Sequence, residues 1–238
     1  MPRIAEEDAY RKFLSHGRNS SHFVWFLTRL DFFECSNGWI FAFLSKGSVT
    51  IFALEPLVPE DSYSGDAFHL AWEELKRELK PRIALFVSVN DEFLHLLKAR
   101  GFQSIQVGRE PFVDLAQCIP TGKSGKGVRA ARNQALRAGV ITEEVSGEQI
   151  RVEKKIQDEM RAVLAQWKSR NLFEMGGFLN TVNPFLRMED RRYFLSRDRN
   201  GRLDGYLVAT PIPRKKSFFL EDLVLRKNSS REIGRAHV

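Results

Sequence analysis

Two strand pairs lying far apart in the sequence constrain the fold of this chain more than any other feature. Trp39-Ile40-Phe41-Ala42-Phe43-Leu44, the turn Ser45-Lys46-Gly47 and Val49-Thr50-Ile51-Phe52-Ala53-Leu54 read as a β-hairpin. Glu55-Pro56-Leu57-Val58-Pro59 is expected to end it, because proline cannot donate to a ladder. Arg192 to Ser196, the turn Asn200-Gly201 and Asp204 to Thr210 form a second hairpin. Apolar residues at helical spacing predict helices over Tyr10–Leu14, Ala67–Leu79 and Glu92–Lys98. A single long helix is predicted over Glu148–Lys168, burying Ile156, Met160, Val163, Leu164 and Trp167. Further strands are predicted at Ile83–Val89 (buried), Phe102–Val107, Phe112–Leu115, Ile141–Val145 and Phe218–Leu225. Sequential hairpins flanked by helices in both halves indicate an α+β protein. The length of 238 residues suits one large or two small domains, and 19 phenylalanines argue for packed cores.

Charge is the second constraint. The net charge of +7 makes anionic partners plausible: tRNA, anionic lipid or a phosphorylated cofactor. Lys123 to Gly139 holds five cations (Lys123, Lys126, Arg129, Arg132, Arg137) and no acid, and reads as a short helix closed by Gly139. Arg129, Arg132 and Asn133 fall on one side of it, where they could meet successive phosphates. A solvated helix joining two domains explains the same pattern. The glycines of Gly122-Lys123-Ser124-Gly125-Lys126-Gly127 lack P-loop spacing and read as a flexible linker.

Several classes are set aside. Cys35, Cys118 and the histidines show no metal-ligand spacing, so no metal is expected. Met1 to Asp8 is polar and acidic, unlike a signal peptide, and apolar runs such as Trp39–Leu44 fall far below the ~20 residues that span a bilayer. A cytoplasmic protein is expected, one able to visit a membrane surface. Glu232 to Val238 reads as a translated sequencing adapter, so the natural chain is expected to continue differently beyond residue 231. Its imitation of an R-x-x-G-x-A pyrophosphate loop, from Arg231 to Ala236, therefore carries no weight.

Three other segments are candidates for chemistry. Glu221 and Asp222 are neighbours on a strand, so only one should face any given cleft. Such an acid could hold an ammonium group or take a proton from a nucleophile. A strand-end pair with one acid exposed and one salt-bridged is the plainer reading. Arg226 could grip a carboxylate or phosphate with its planar fork, or simply face solvent. Phe173-Glu174-Met175-Gly176-Gly177-Phe178 is a loop whose glycines permit close backbone approach.

Taken in order, Arg129-Ala130-Ala131-Arg132-Asn133, Gly139, Trp167, Phe173 to Gly176, the hairpin from Asn200-Gly201 to Gly205, and Glu221-Asp222-Leu223 with Arg226 resemble a known family. It is the C-terminal cytosolic domain of bacterial phosphatidylglycerol lysyltransferases, also called multiple peptide resistance factors. The resemblance implies tandem GNAT-like (acyl-CoA N-acyltransferase) domains joined by a basic helix. The expected bounds are 1–118 for the first domain, 119–139 for the linker helix, 140–231 for an incomplete second domain and 232–238 for the foreign tail. It implies transfer of an aminoacyl group from tRNA to phosphatidylglycerol or another hydroxyl or amine acceptor, with no cofactor. Lys123, Lys126, Arg129, Arg132 and Arg137 would contact tRNA. Glu221 and Asp222 would be catalytic, while Arg226, Phe173 and Gly176 would bind substrate. Aminoacyl-tRNA and an anionic phospholipid surface are the implied partners. The large membrane-spanning portion usual in the family does not precede Met1 in this sequence. An acyl-CoA-dependent N-acyltransferase and a non-catalytic tRNA- or lipid-binding module are the alternatives.

Overall fold

The computed structural model describes residues 3–59, 63–114, 121–123, 125–170, 179, 181–227 and 229. Phe173, Gly176, Leu115, Cys118 and the 232–238 tail lie outside the described residues. The chain forms two compact units. One comprises Met1–Arg109, Gly177–Thr181 and Ile212–Ser217; the other comprises Glu110–Gly176, Val182–Pro211 and Phe218–Val238.

The first unit runs α1(Glu6–His16), a 3-10 turn at His22–Phe26, β1(Asp31–Glu34), β2(Ile40–Lys46), β3(Val49–Leu57), α2(Gly65–Leu79), β4(Ile83–Val87) and α3(Asp91–Lys98). Its sheet has the order β1-β2-β3-β4. The first three strands are antiparallel, and β4 returns parallel to β3 after the α2 crossover. The unbroken apolar run of β2 follows from burial on both faces. Ile40 and Ala42 pack with Phe13, Trp25 and Phe26, whereas Phe41 and Phe43 pack with Phe68, Leu75 and Phe93.

The prolines do not stop β3, which continues through Pro56 to pair Leu57 with Ile40. A register shift between Ile40 and Ala42 and a positive φ at Leu54 mark an irregular stretch, and such stretches tolerate a residue with no N–H. Pairing with β4 ends at Ala53 and Val87. Just beyond, the fully buried Glu55 carboxylate accepts from Asn19 Nδ2 (2.5 Å), Asn90 Nδ2 (2.9 Å) and the Asn90 backbone N–H (3.2 Å). Asn90 in turn caps α3 by accepting from Phe93 N–H at 2.9 Å. Burial lowers the pKa of His22, whose Nε2 lies 3.0 Å from the Glu55 carbonyl and donates to it.

Two expectations fail in this unit. β4 is an edge strand with Ile83 and Leu85 exposed, so it is not the buried strand that its composition suggests. Phe102–Val107 and the described part of Phe112–Leu115 form no strand, and Ile105 is 89% exposed. Phe102 docks at 5.5 Å from both Trp72 and Phe86. An apolar alternation specifies which face is greasy, but it supplies no partner for the backbone.

The second unit contains α4(Lys126–Arg137), β5(Ile141–Ser146), α5(Gly147–Val152), α6(Lys154–Lys168), β6(Arg192–Arg197) and β7(Leu203–Ile212). β8(Ser217–Leu225) completes a sheet of order β5-β6-β7-β8. The long helix expected over Glu148–Lys168 is two helices, broken at Glu153 (φ −88°, ψ 89°). Ser146 and Gln149 form a capping box that starts α5. Gln157 Nε2 then donates to the carbonyls of Ile150 and Arg151, each at 2.9 Å, replacing bonds that the break removes. Ile156, Met160 and Val163 pack with Tyr193, Leu195, Tyr206 and Val208, so the apolar period survives the break.

α4 ends in a Schellman motif: Gly139 N–H donates to Leu136 O and Val140 N–H to Ala135 O, both at 3.0 Å. Gly139 has φ +74°, and a Cβ there would come within 2.9 Å of Arg199 Cβ. Gly139→Ala should therefore destabilise the second unit by about 1–2 kcal/mol, read as a lower Tm in thermal denaturation.

Candidate functional site

β8 is the edge strand of its sheet, and its end is tightly fixed to β7. A Cβ on Gly205 would meet Leu225 Cδ2 at 2.5 Å and Val224 O at 2.9 Å, so only glycine lets the two strands approach this closely. Arg226 N–H donates to Asp204 O (2.8 Å) and its Nε to Leu203 O (2.6 Å). The arginine read from the sequence as a substrate ligand is thus half-buried, with its Nε committed to the neighbouring strand.

The acid pair is not the one-exposed, one-salt-bridged pair of the plainer reading. Neither acid is exposed: the Glu221 side chain is 8% accessible and Asp222 is 6% accessible. Both act on one buried cation, Arg191, whose side chain is inaccessible to solvent. Arg191 Nη2 donates to Glu221 Oε2 at 2.6 Å, and Nη1 donates to the carbonyls of Asn183 (2.7 Å) and Leu186 (3.2 Å). Burial raises the Glu221 pKa against the pull of Arg191. Asp222 is pushed up to about 7, first by burial and then by the charge of Glu221, with Arg191 opposing.

Asp222 Oδ2, Tyr206 Oη and Thr210 Oγ1 are buried without a hydrogen-bond partner among the described residues. Tyr206 and Thr210 alternate along β7 on the face that carries Val208. Tyr193, the other phenol of this core, is satisfied by the Pro184 carbonyl at 2.8 Å. Two carboxylates share one guanidinium, so with both ionised the cluster is one positive charge short of neutrality. Such a cluster can take up a proton or a cationic group.

The basic segment forms a separate surface. Lys123, Lys126, Arg129, Arg132 and Arg137 are all exposed, while Ala131 and Ala135 form the buried stripe of α4. Arg129 Nη2 donates to Gly122 O at 2.8 Å, tying the helix to the glycine-rich segment before it. No group of three metal-ligating side chains occurs among the described residues, and no described helix is long and apolar enough to cross a membrane. Sequence reasoning missed Arg191, Tyr206 and Thr210. Arg191 looks like one of many surface arginines because its acidic partner lies 30 residues away.

The raised Asp222 pKa has a definite sign in stability. Between its ordinary 3.8 and about 7 the folded state holds a proton that the unfolded state releases, so stability falls as pH rises through that window. Asp222→Asn removes the penalty. The variant should be more stable than the parent at pH 8, by on the order of 3 kcal/mol, with the gap closing toward pH 5 in parallel Tm measurements.

Among known proteins, the family described as phosphatidylglycerol lysyltransferase, C-terminal, matches residues 10–227. No curated protein sequence matches. The fold is shared with L-PGS from Bacillus licheniformis at TM-score 0.83 and 20% identity, over 98% of this chain and 70% of that one. It is shared also with the C-terminal DUF2156 domain of an Agrobacterium fabrum protein assigned as a lysylphosphatidylglycerol synthetase (TM-score 0.81, 17% identity, 97% and 72% covered). A Bacteroides thetaiotaomicron VPI-5482 protein of unknown function is similar at TM-score 0.66 and 14% identity, with 100% and 85% covered. By its match over nearly the whole length, this chain belongs to the phosphatidylglycerol lysyltransferase C-terminal family.

Proposed function

We propose that this protein is an aminoacyl-tRNA-dependent transferase that moves an aminoacyl group to phosphatidylglycerol or a related hydroxyl acceptor. The observation that carries this reading is Asp222: a buried carboxylate with an unpartnered oxygen, in a cluster one positive charge short. An aminoacyl ester brings the missing charge as its ammonium group. Family membership supports the same reading.

An aminoacyl ester is already activated, so positioning and polarisation supply most of what the enzyme must add. Asp222 holds the ammonium and so fixes the ester carbonyl relative to the acceptor hydroxyl. The acceptor oxygen forms the new ester bond, the bond to the terminal ribose breaks, and the hydroxyl proton ends on the ribose oxygen. Tyr206 and Thr210 offer further polar atoms to the bound substrate. The exposed cations Lys123, Lys126, Arg129, Arg132 and Arg137 contact tRNA phosphates, and the basic surface also favours an anionic bilayer.

The two units correspond in this reading to tandem GNAT-like domains, with 119–139 as the basic connection. The run of three antiparallel strands, a crossover helix and a parallel fourth strand in the first unit supports that assignment.

The test is label transfer from lysyl- and alanyl-tRNA into phosphatidylglycerol vesicles, with labelled acetyl-CoA in parallel. Transfer from tRNA is expected. Label moving only from acetyl-CoA, or tight tRNA binding without turnover, would overturn the reading. Asp222→Asn should lower transfer by about 100-fold while leaving tRNA binding intact. Arg129→Ala with Arg132→Ala should weaken tRNA binding across sequences and reduce its salt slope by about 2.

A further inference from the structure

Two adjacent buried acids stand beside one buried arginine, and the family reading makes both of them catalytic. Their environments differ. Glu221 is bonded at 2.6 Å to Arg191, which the Asn183 and Leu186 carbonyls hold from the other side. Asp222 lies in the field of both groups, yet its Oδ2 has no hydrogen-bond partner among the described residues. We propose that Glu221 is a positioning residue: it neutralises Arg191 and thereby keeps the Asp222 carboxylate open to a cationic amine.

This rests on the aminoacyl reading and assigns the two acids different work. Arg191 beside a single acid would make a closed, neutral ion pair, and a buried neutral pair gives an incoming ammonium no net attraction. A second acid restores one unit of negative charge at the position where the unpartnered oxygen sits. Tyr193 and Tyr206, which feel the charges of the cluster, have their pKa values raised by burial and remain uncharged phenols near neutral pH.

The same arrangement sets the substrate class. The site selects esters with a free, protonated amine and rejects those whose nitrogen is acylated, since an amide brings no charge to the unpaired acid. The discrimination comes from Glu221, which in this arrangement does not touch the substrate.

The experiment has two readouts on the same purified protein. The first is a ¹³C NMR titration of the Asp222 carboxyl group, which needs no ligand. The second is calorimetric binding of lysinamide and alaninamide at pH 8, each compared with its Nα-acetyl form. In Glu221→Gln the Asp222 midpoint should fall by about one pH unit or more, because Arg191 then acts on it without opposition. Affinity for the free amines should fall by at least ~10-fold, with binding of the acetylated forms unchanged. The double substitution Arg191→Met with Glu221→Met removes both partners at similar volume, so the acid is again unpaired and amine affinity should return to within about threefold of the parent.

A Glu221→Gln protein that keeps the parental midpoint and amine affinity overturns the proposal. So does a double variant that binds amine as weakly as Glu221→Gln, since the pair would then act only through structure. Should Glu221→Gln fail to fold, the double variant is compared with the parent: retained amine affinity supports the proposal, and a loss of ~10-fold or more overturns it. A shifted midpoint in a parent that binds neither amine leaves the Arg191–Glu221 assignment standing and removes the aminoacyl reading instead.

Discussion

The buried ion pair between Arg191 and Glu221 is the interaction on which the second unit turns. Taking a guanidinium fully out of water costs several kcal/mol, and one carboxylate at 2.6 Å offsets this only when the remaining donors also find partners. The carbonyls of Asn183 and Leu186 both take Nη1, so the segment before β6 is bound to β8 through a single side chain. The pair therefore ties β8 at Glu221 to the segment before β6 without using Asp222. What remains is an acid held in a low-dielectric setting and left unbalanced, an arrangement that favours a ligand over stability.

The first unit handles a buried carboxylate in the opposite way. Glu55 lies just past the end of the β3–β4 pairing and is surrounded by neutral donors from Asn19 and Asn90. Each of those asparagines does local work as well: Asn90 caps α3, and Asn19 accepts from the Ser21 N–H. One acid is thus satisfied by its surroundings and the other is left wanting. That contrast, and not the mere presence of buried acids, is what the proposed function draws on in the second unit.

Much of this was legible in the sequence. Both hairpins, the helices α1 to α4 and the acid pair follow from periodicity, turn chemistry and spacing. The misses have physical causes. The break between α5 and α6 is invisible to hydrophobic period, because Ile156 and Met160 keep the same face buried whether or not the helix is continuous. Pro56 looked like a terminator because its tolerance depends on an irregular register with β2 that only the paired strand reveals. The plainer reading of Glu221 and Asp222, one exposed and one salt-bridged, missed that both are buried. The burial of both acids near Arg191 was not legible, because a cation 30 residues away leaves no trace in local pattern.

The uncovered side of β4 has a consequence for behaviour in solution. It offers backbone groups that no described strand pairs, beside two exposed aliphatic residues, Ile83 and Leu85, a surface that invites strand-to-strand adhesion between molecules. Lys80 and Arg82 stand at its entrance as cationic gatekeepers, and the surplus of +7 adds a repulsion that keeps copies apart. Both protections are electrostatic and fade as the Debye length shrinks from about 10 Å at 0.1 M salt to about 3 Å at 1 M. Salt strong enough to screen the cations of the basic helix therefore also removes the barrier to self-association, so the ionic strength at which this protein stays dispersed has an upper limit.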